Sequence, residues 1–215
     1  MGESAGYQPS HPKVDRPVGS VLFADFPELW GRSPCLDFLN SLMSDHRGSG
    51  KVFDLMPLPG WQNAFLSLWK MSLDDPFEVA PLTVMVKVRR VVRDGLERWG
   101  RGASLPEADV RELNTILGLA PLSRTVSPAE SGYSVELAPS TRNWTWVLTE
   151  VIVSMFRLME EGDPARLRKC SNPDCSWLYH DDSQAHSRRW CSPRACGNMV
   201  RVRAFRSRHR QTSKP

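Results

Sequence analysis

Four of the five cysteines crowd into one short stretch as Cys170, Cys175, Cys191 and Cys196, in the pattern C-x4-C-x15-C-x4-C. Two thiol pairs of equal spacing can each turn two sulfurs toward one point. Thiolates suit tetrahedral zinc, and four of them close the coordination sphere, leaving no position for a catalytic water. One structural Zn²⁺ held by these four residues is therefore expected. No apolar leader follows the N-terminus and no apolar run approaches the length of a bilayer, so the chain reads as cytoplasmic, with no membrane contact. Disulfides are rare in that compartment, which again favours metal over bridges. His180 and His186 lie between the pairs, but with four sulfurs in place they read as hairpin or surface residues.

The elements that must hold these sulfurs are legible too. Asn172-Pro173-Asp174 is turn chemistry inside the first pair. Ser192-Pro193 reads as an N-cap followed by a first helical residue, which puts Cys196 in the first turn of a helix, where free N–H groups favour a thiolate. Between the pairs, Trp177-Leu178-Tyr179 reads as a strand, Asp181 to Gln184 as a turn, and Arg188-Arg189-Trp190 as the return toward the second pair. The layout is treble-clef-like. After it, Met199, Val202 and Phe205 recur at helical spacing and are expected to dock on the hairpin.

Charge divides the chain. Of 28 Lys+Arg and 24 Asp+Glu, residues 164–215 hold 12 and 3, a balance of +9, while residues 1–163 hold 16 and 21, a balance of −5. A basic tail on a mildly acidic body suggests that the tail meets a polyanion. Arg194, Arg201, Arg203, Arg206, Arg208 and Arg210 are the candidate nucleic-acid contacts, with Arg188 and Arg189 supporting them from the hairpin. A solvated, unpartnered helix is the plainer reading of the same charge run.

The residues Arg168-Lys169-Cys170, Cys175, Trp177-Leu178-Tyr179, Asp181-Asp182-Ser183, Arg188 to Ser192 and Cys196-Gly197-Asn198 together resemble the CGNR zinc-finger family, bacterial proteins described as stress-induced transcription regulators. That family also carries a helical ABATE domain, whose opening motif resembles Leu36-Asp37-Phe38-Leu39-Asn40-Ser41. The likeness runs from about Pro34 to Arg210 and implies a DNA-binding regulator. One position departs: the signature's final Arg is Met199 here, with Arg201 or Arg203 as its candidate replacements.

The expected fold is mainly α with a small β-hairpin: a helical N-terminal domain followed by a treble-clef-like four-cysteine zinc finger. Residues 1–20, rich in Gly, Pro and Ser, read as a disordered lead-in, residues 21–163 as an ABATE-like sensor or dimerisation domain, and residues 164–215 as the finger, with a hinge at Gly162-Asp163-Pro164. Helices are expected over Cys35–Ser44, Trp61–Met71, Pro81–Trp99 and Arg142–Glu161. Another should open with a capping box at Ser104-Leu105-Pro106-Glu107 and run to Leu117. A hairpin is expected from Leu122–Val126 and Tyr133–Leu137. Asp37 and Asn40 read as polar residues that hydrogen-bond a nearby loop, Cys35 as a small buried hydrophobe, and Lys87, Arg89, Arg90 and Arg93 as a solvated face. No phosphate-binding Gly loop, nucleophile elbow or His-Glu-x-x-His helix is present, so no enzyme is expected.

Functionally, these features fit a zinc-dependent, nucleoid-associated DNA-binding regulator. Rival readings are a protein-interaction module, pairing with RNA polymerase or forming a homodimer, and a structured-RNA binder. Eight Trp and eight Phe could line a pocket for a small-molecule effector, but they read more simply as core.

Overall fold

A computed structural model describes residues 32–212. The lead-in expected over 1–20 lies outside these residues, as does the side chain of Arg210. Six helices and three two-stranded antiparallel sheets appear among the described residues. The hub is α5 (Trp144–Glu161), which packs against α1 (Pro34–Leu39), α3 (Leu82–Trp99) and α4 (Glu107–Leu117). Its stripe of Trp144, Val147, Leu148, Val151, Ile152 and Met155 is buried, as its 3.6-residue period requires. Asn143 caps its start, accepting the Trp146 N–H at 2.9 Å.

Opposite α5, the rings of Phe38, Trp61 and Phe65 form one aromatic cluster. Trp61 and Phe65, both on α2 (Pro59–Leu68), stack at 5.1 Å, and Phe38 meets Phe65 edge-on at 5.8 Å. Leu68, at the end of α2, is exposed. Trp69 follows the helix and donates its Nε1–H to Asp37 Oδ2 at 3.1 Å.

Three local expectations give way to backbone or tertiary constraints. The first helix stops at Leu39, and Leu42 and Met43 instead form β1 (Leu42–Ser44), which pairs with β2 (Val52–Asp54). An apolar run of that length is compatible with either element, and strand pairing decides it. The capping box does not form: α4 begins at Glu107 with Pro106 as N-cap and no side-chain cap. Proline disfavours helical backbone in the residue before it, so a helix opening at Ser104 would have to hold Leu105 in that disfavoured region. The third hairpin element is longer than expected. β3 (Leu122–Ala129) and β4 (Gly132–Pro139) are joined through Glu130 and Ser131.

The basic face of α3 is the largest correction. Arg89 is buried and makes a bidentate pair with Asp54 at 2.6 and 2.7 Å, while donating to Ser41 Oγ at 3.0 Å. Arg93 donates to the carbonyls of Leu39 at 3.2 Å and Ser176 at 3.1 Å. Lys87 and Arg90 remain on the surface beside Glu112 of α4. Charge is visible in a sequence but partners are not, and β1–β2 supplies Arg89's partner.

This pair sets a stability prediction. Burial alone would raise the Asp54 carboxyl, but hydrogen bonds and charge from Arg89 outweigh it and hold the group below the usual carboxylate range. A carboxylate lowered in the folded state contributes stability above its unfolded value, about 3.9, and loses it as pH falls through the folded one. Asp54→Ala should cost about 2–3 kcal/mol at neutral pH, because Arg89 is left buried without its counter-charge. Urea denaturation should show that loss at pH 7, shrinking toward pH 3.

Asn40 joins the two parts of the chain. Its Nδ2 donates to the Leu178 carbonyl at 2.8 Å, and its Oδ1 accepts the Leu178 N–H at 3.2 Å, so one amide side chain extends β6 (Leu178–His180) as a strand would. Trp177, Leu178 and Tyr179 belong to the same buried cluster as the helices. The segment expected as a hinge is held on both sides: Gly162 N–H bonds to Leu158 O, and Asp163 caps a 3₁₀ turn at Pro164–Arg166.

Candidate metal centre and basic helix

The first cysteine pair sits at the tip of a hairpin. β5 (Leu167–Lys169) pairs with β6 in antiparallel register, and Cys170 and Cys175 occupy the loop between them. This corrects the expected pairing of Trp177–Tyr179 with Arg188–Trp190. The latter segment forms no strand, though Ser171 N–H bonds to Arg189 O and Tyr179 OH donates to Arg188 O. The hydrogen-bonding edge of β6 is taken by the chain upstream of the first pair, a partner that the spacing between the pairs does not reveal.

The second pair spans the start of the terminal helix. Ser192 Oγ accepts the Ala195 N–H at 3.0 Å, a wide turn follows over Pro193–Gly197, and α6 runs over Asn198–Thr212. Gly197 lets this turn approach Trp190, since a Cβ there would stand 3.3 Å from the indole ring.

All four sulfurs lie within 4.8 Å of one another, and all four residues are buried. Zinc–sulfur bonds of about 2.3 Å in a tetrahedron set sulfurs roughly 3.8 Å apart. Cys175 and Cys191 are 3.8 Å apart, and Cys191 and Cys196 3.6 Å. N–H groups are aimed at the sulfurs as well: Cys191 N to Cys170 Sγ and Asn172 Nδ2 to Cys196 Sγ, each at 3.5 Å. Donors of this kind stabilise thiolates rather than thiols. Without metal, hydrogen bonds from Cys175 and Cys191 push the Cys170 thiol down, while Cys191 goes up because it donates to its neighbours, Cys170 first. His180 and His186 are not part of the cluster. Cys35 is separate too, fully buried in the helical part and pushed up to about 11 by that burial, an inert thiol.

Residues 32–162 match a family named ABATE, with the description "Putative stress-induced transcription regulator". The chain belongs to the ABATE family. Residues 166–209 of this ABATE protein match the CGNR zinc finger, in the order that the motifs implied. The four cysteines are thus the site of one zinc ion in a CGNR finger. No curated protein matches the chain. None of the described helices is long and apolar enough to cross a membrane.

The finger's side chains separate into those that build it and those that face outward. Arg188 is a builder. Its Nε donates to Trp190 O at 3.0 Å, its Nη2 reaches Cys191 O, and its Nη1 lies 3.6 Å from Asp182. Arg203 pairs with Asp174 and also points to His46 O in the β1–β2 loop. Both were expected to contact nucleic acid; here they are occupied within the chain. Arg189, Arg194, Arg201, Arg206 and Arg208 are exposed. The guanidinium groups of Arg189 and Arg201 lie 5.3 and 5.6 Å from the centre of the Trp190 ring, within cation–π range of it. Met199 and Val202 are half-buried as expected, whereas Phe205 is 54% exposed, its ring 3.9 Å from that of His209.

Two residues do more than their sequence signals suggested. Asn172, read only as part of a turn, donates from Nδ2 to His46 O at 2.9 Å as well as to Cys196 Sγ, and so ties the metal loop to β1–β2. Asp181 is buried and accepts from Ser183 N, Ser183 Oγ and Arg188 N, shaping the whole 181–188 loop. Burial would raise its carboxyl, but the Ser183 bonds and then the Arg188 N–H prevail and lower it.

Proposed function

We propose that this ABATE protein is a zinc-dependent regulator that binds DNA in a sequence-directed manner through α6, in the cytoplasm and associated with the nucleoid. The observation that carries this reading is the charge left over after the finger has folded. All three acidic residues of the finger are engaged within the chain: Asp174 with Arg203, Asp181 with the Ser183 loop, and Asp182 with Arg32 and Arg188. None faces the exposed arginines of α6, so the helix keeps its positive charge for an outside polyanion. Arg201, Arg206 and Arg208, with Arg189 and Arg194 at its base, are the proposed contacts, and Arg210 continues the series. Arg188 and Arg203 hold the helix in place. The zinc orients these groups and does no chemistry on a substrate, since four thiolates leave no open position; the protein is not an enzyme in this reading. The N-terminal domain is the sensing or dimerising part.

Phe205 favours a second reading. A half-exposed phenylalanine among arginines suits a protein partner such as RNA polymerase, although Trp177, the other residue that could serve one, is buried. Sequencing DNA fragments selected by the zinc-loaded chain separates the two. A shared motif enriched by that chain and not by Cys191→Ser is the expected result; random fragments from both would leave the protein-partner reading.

A further inference from the structure

The β3–β4 hairpin is built like half of a sandwich. Its register pairs Leu122 with Pro139, Arg124 with Leu137, Val126 with Val135 and Pro128 with Tyr133. Alternation puts these eight residues on one face. The other face carries Ser123, Thr125, Ser127, Ser134 and Glu136. A pattern of apolar on one side and polar on the other belongs to a sheet that covers a core. Yet among the described residues this apolar side covers nothing. Val126, Val135 and Leu137 are 63–65% exposed and Tyr133 81%, and none of them packs on the hydrophobic core. A lone two-stranded ribbon in water is marginal, so a hairpin of eight-residue strands needs its apolar face covered.

We propose that this face is the interface with a second copy of the chain, the two hairpins stacking face to face about a two-fold axis. Self-pairing is favoured because the face is complementary to itself. With the axis at the Val126–Val135 pair, the valines of both copies meet at the centre. Arg124 and Tyr133 stand one non-adjacent pair to either side of that axis. Antiparallel stacking brings the Arg124–Leu137 pair of each copy against the Pro128–Tyr133 pair of the other, so the face's one charge lies over apolar surface with an aromatic ring diagonal to it. The area suffices: the exposed apolar side chains offer on the order of 600 Å² per copy, so the contact clears the roughly 1,000 Å² expected of a specific interface. The inference does not rest on DNA binding, and its test contains no DNA.

Sedimentation equilibrium of the zinc-loaded full chain should give twice the mass of one chain at micromolar concentration. Val135→Glu should weaken association by at least about 30-fold, as loss of a central contact does, with helicity and zinc content unchanged. Val126→Cys, lying at the axis, should be joined to its counterpart by a short bis-maleimide linker, whereas Ser127→Cys on the polar face should not. A wild-type chain that stays monomeric up to about 100 µM, well above the dissociation constants of specific interfaces of this size, overturns the proposal. So does a Val135→Glu chain that remains a dimer, because the interface would then lie elsewhere.

Discussion

Cys191→Ser should unfold the finger and also weaken the helical domain behind it. Ligation of zinc by small modules supplies on the order of 10–16 kcal/mol, far more than β5–β6 and a basic helix can provide alone. A detached finger would stop there, leaving the other domain as stable as before. Here Trp177, Leu178 and Tyr179 share the buried cluster of the helices, and Asn40 closes two hydrogen bonds on Leu178. When the finger opens, Leu36 on α1 loses Trp177 and Leu178, which line one cavity with it, and Arg93 loses the Ser176 carbonyl. The melting temperature of the remaining domain should drop by about 10 °C, from the roughly 2–4 °C per kcal/mol typical of this chain length. Circular dichroism should in addition lose the signal of α6. A domain whose melting is indifferent to the substitution would show that the shared core contributes nothing.

The second large effect concerns salt. Five exposed arginines at and beside α6, each neutralising about one phosphate, predict a log–log slope of affinity against salt near −4.5. Arg201→Ala and Arg206→Ala should each make that slope shallower by about 0.9 and weaken binding to all sequences alike if they touch phosphates. If either instead pairs with a guanine edge, its loss should cost about 1–3 kcal/mol at one position of the site and relax preference there. Arg203→Ala should behave differently from both, since its guanidinium is taken up by Asp174: affinity should fall through a loosened helix, with little change in slope. Affinity independent of salt would contradict phosphate contact altogether.

The sulfurs and their ion were fully legible in the sequence, because spacing between ligands is a local property and survives any packing. So was the cap that Ser192 sets on the turn leading into α6, made by residues within a few positions of each other. What stayed hidden were partners distant along the chain. Arg89 and Arg93 looked like surface charge because Asp54 and Ser176 lie 35 and 83 residues away. Arg203, expected beside Arg201 as a nucleic-acid contact, and Arg188, expected to support it from the hairpin, likewise have partners in the chain that the charge run does not show, Asp174 and Asp182. Leu42 and Met43 continued a helical pattern until strand pairing with β2 claimed their backbone. The partner of β6 is hidden for the same reason: Leu167–Lys169 lies upstream of both cysteine pairs, outside the spacing between them. Phe205 fits the helical period of Met199 and Val202, yet it is exposed where they are half-buried.

In the proposed function, one ion held by four thiolates fixes the basic helix in the form that meets DNA. Titrating zinc into the metal-free chain, while following the helicity of α6 and the anisotropy of a labelled duplex, tests it most directly. Both signals should rise together and level off at one equivalent of zinc per chain. Full duplex binding before any zinc is added, or a saturated metal site that leaves binding unchanged, would contradict it.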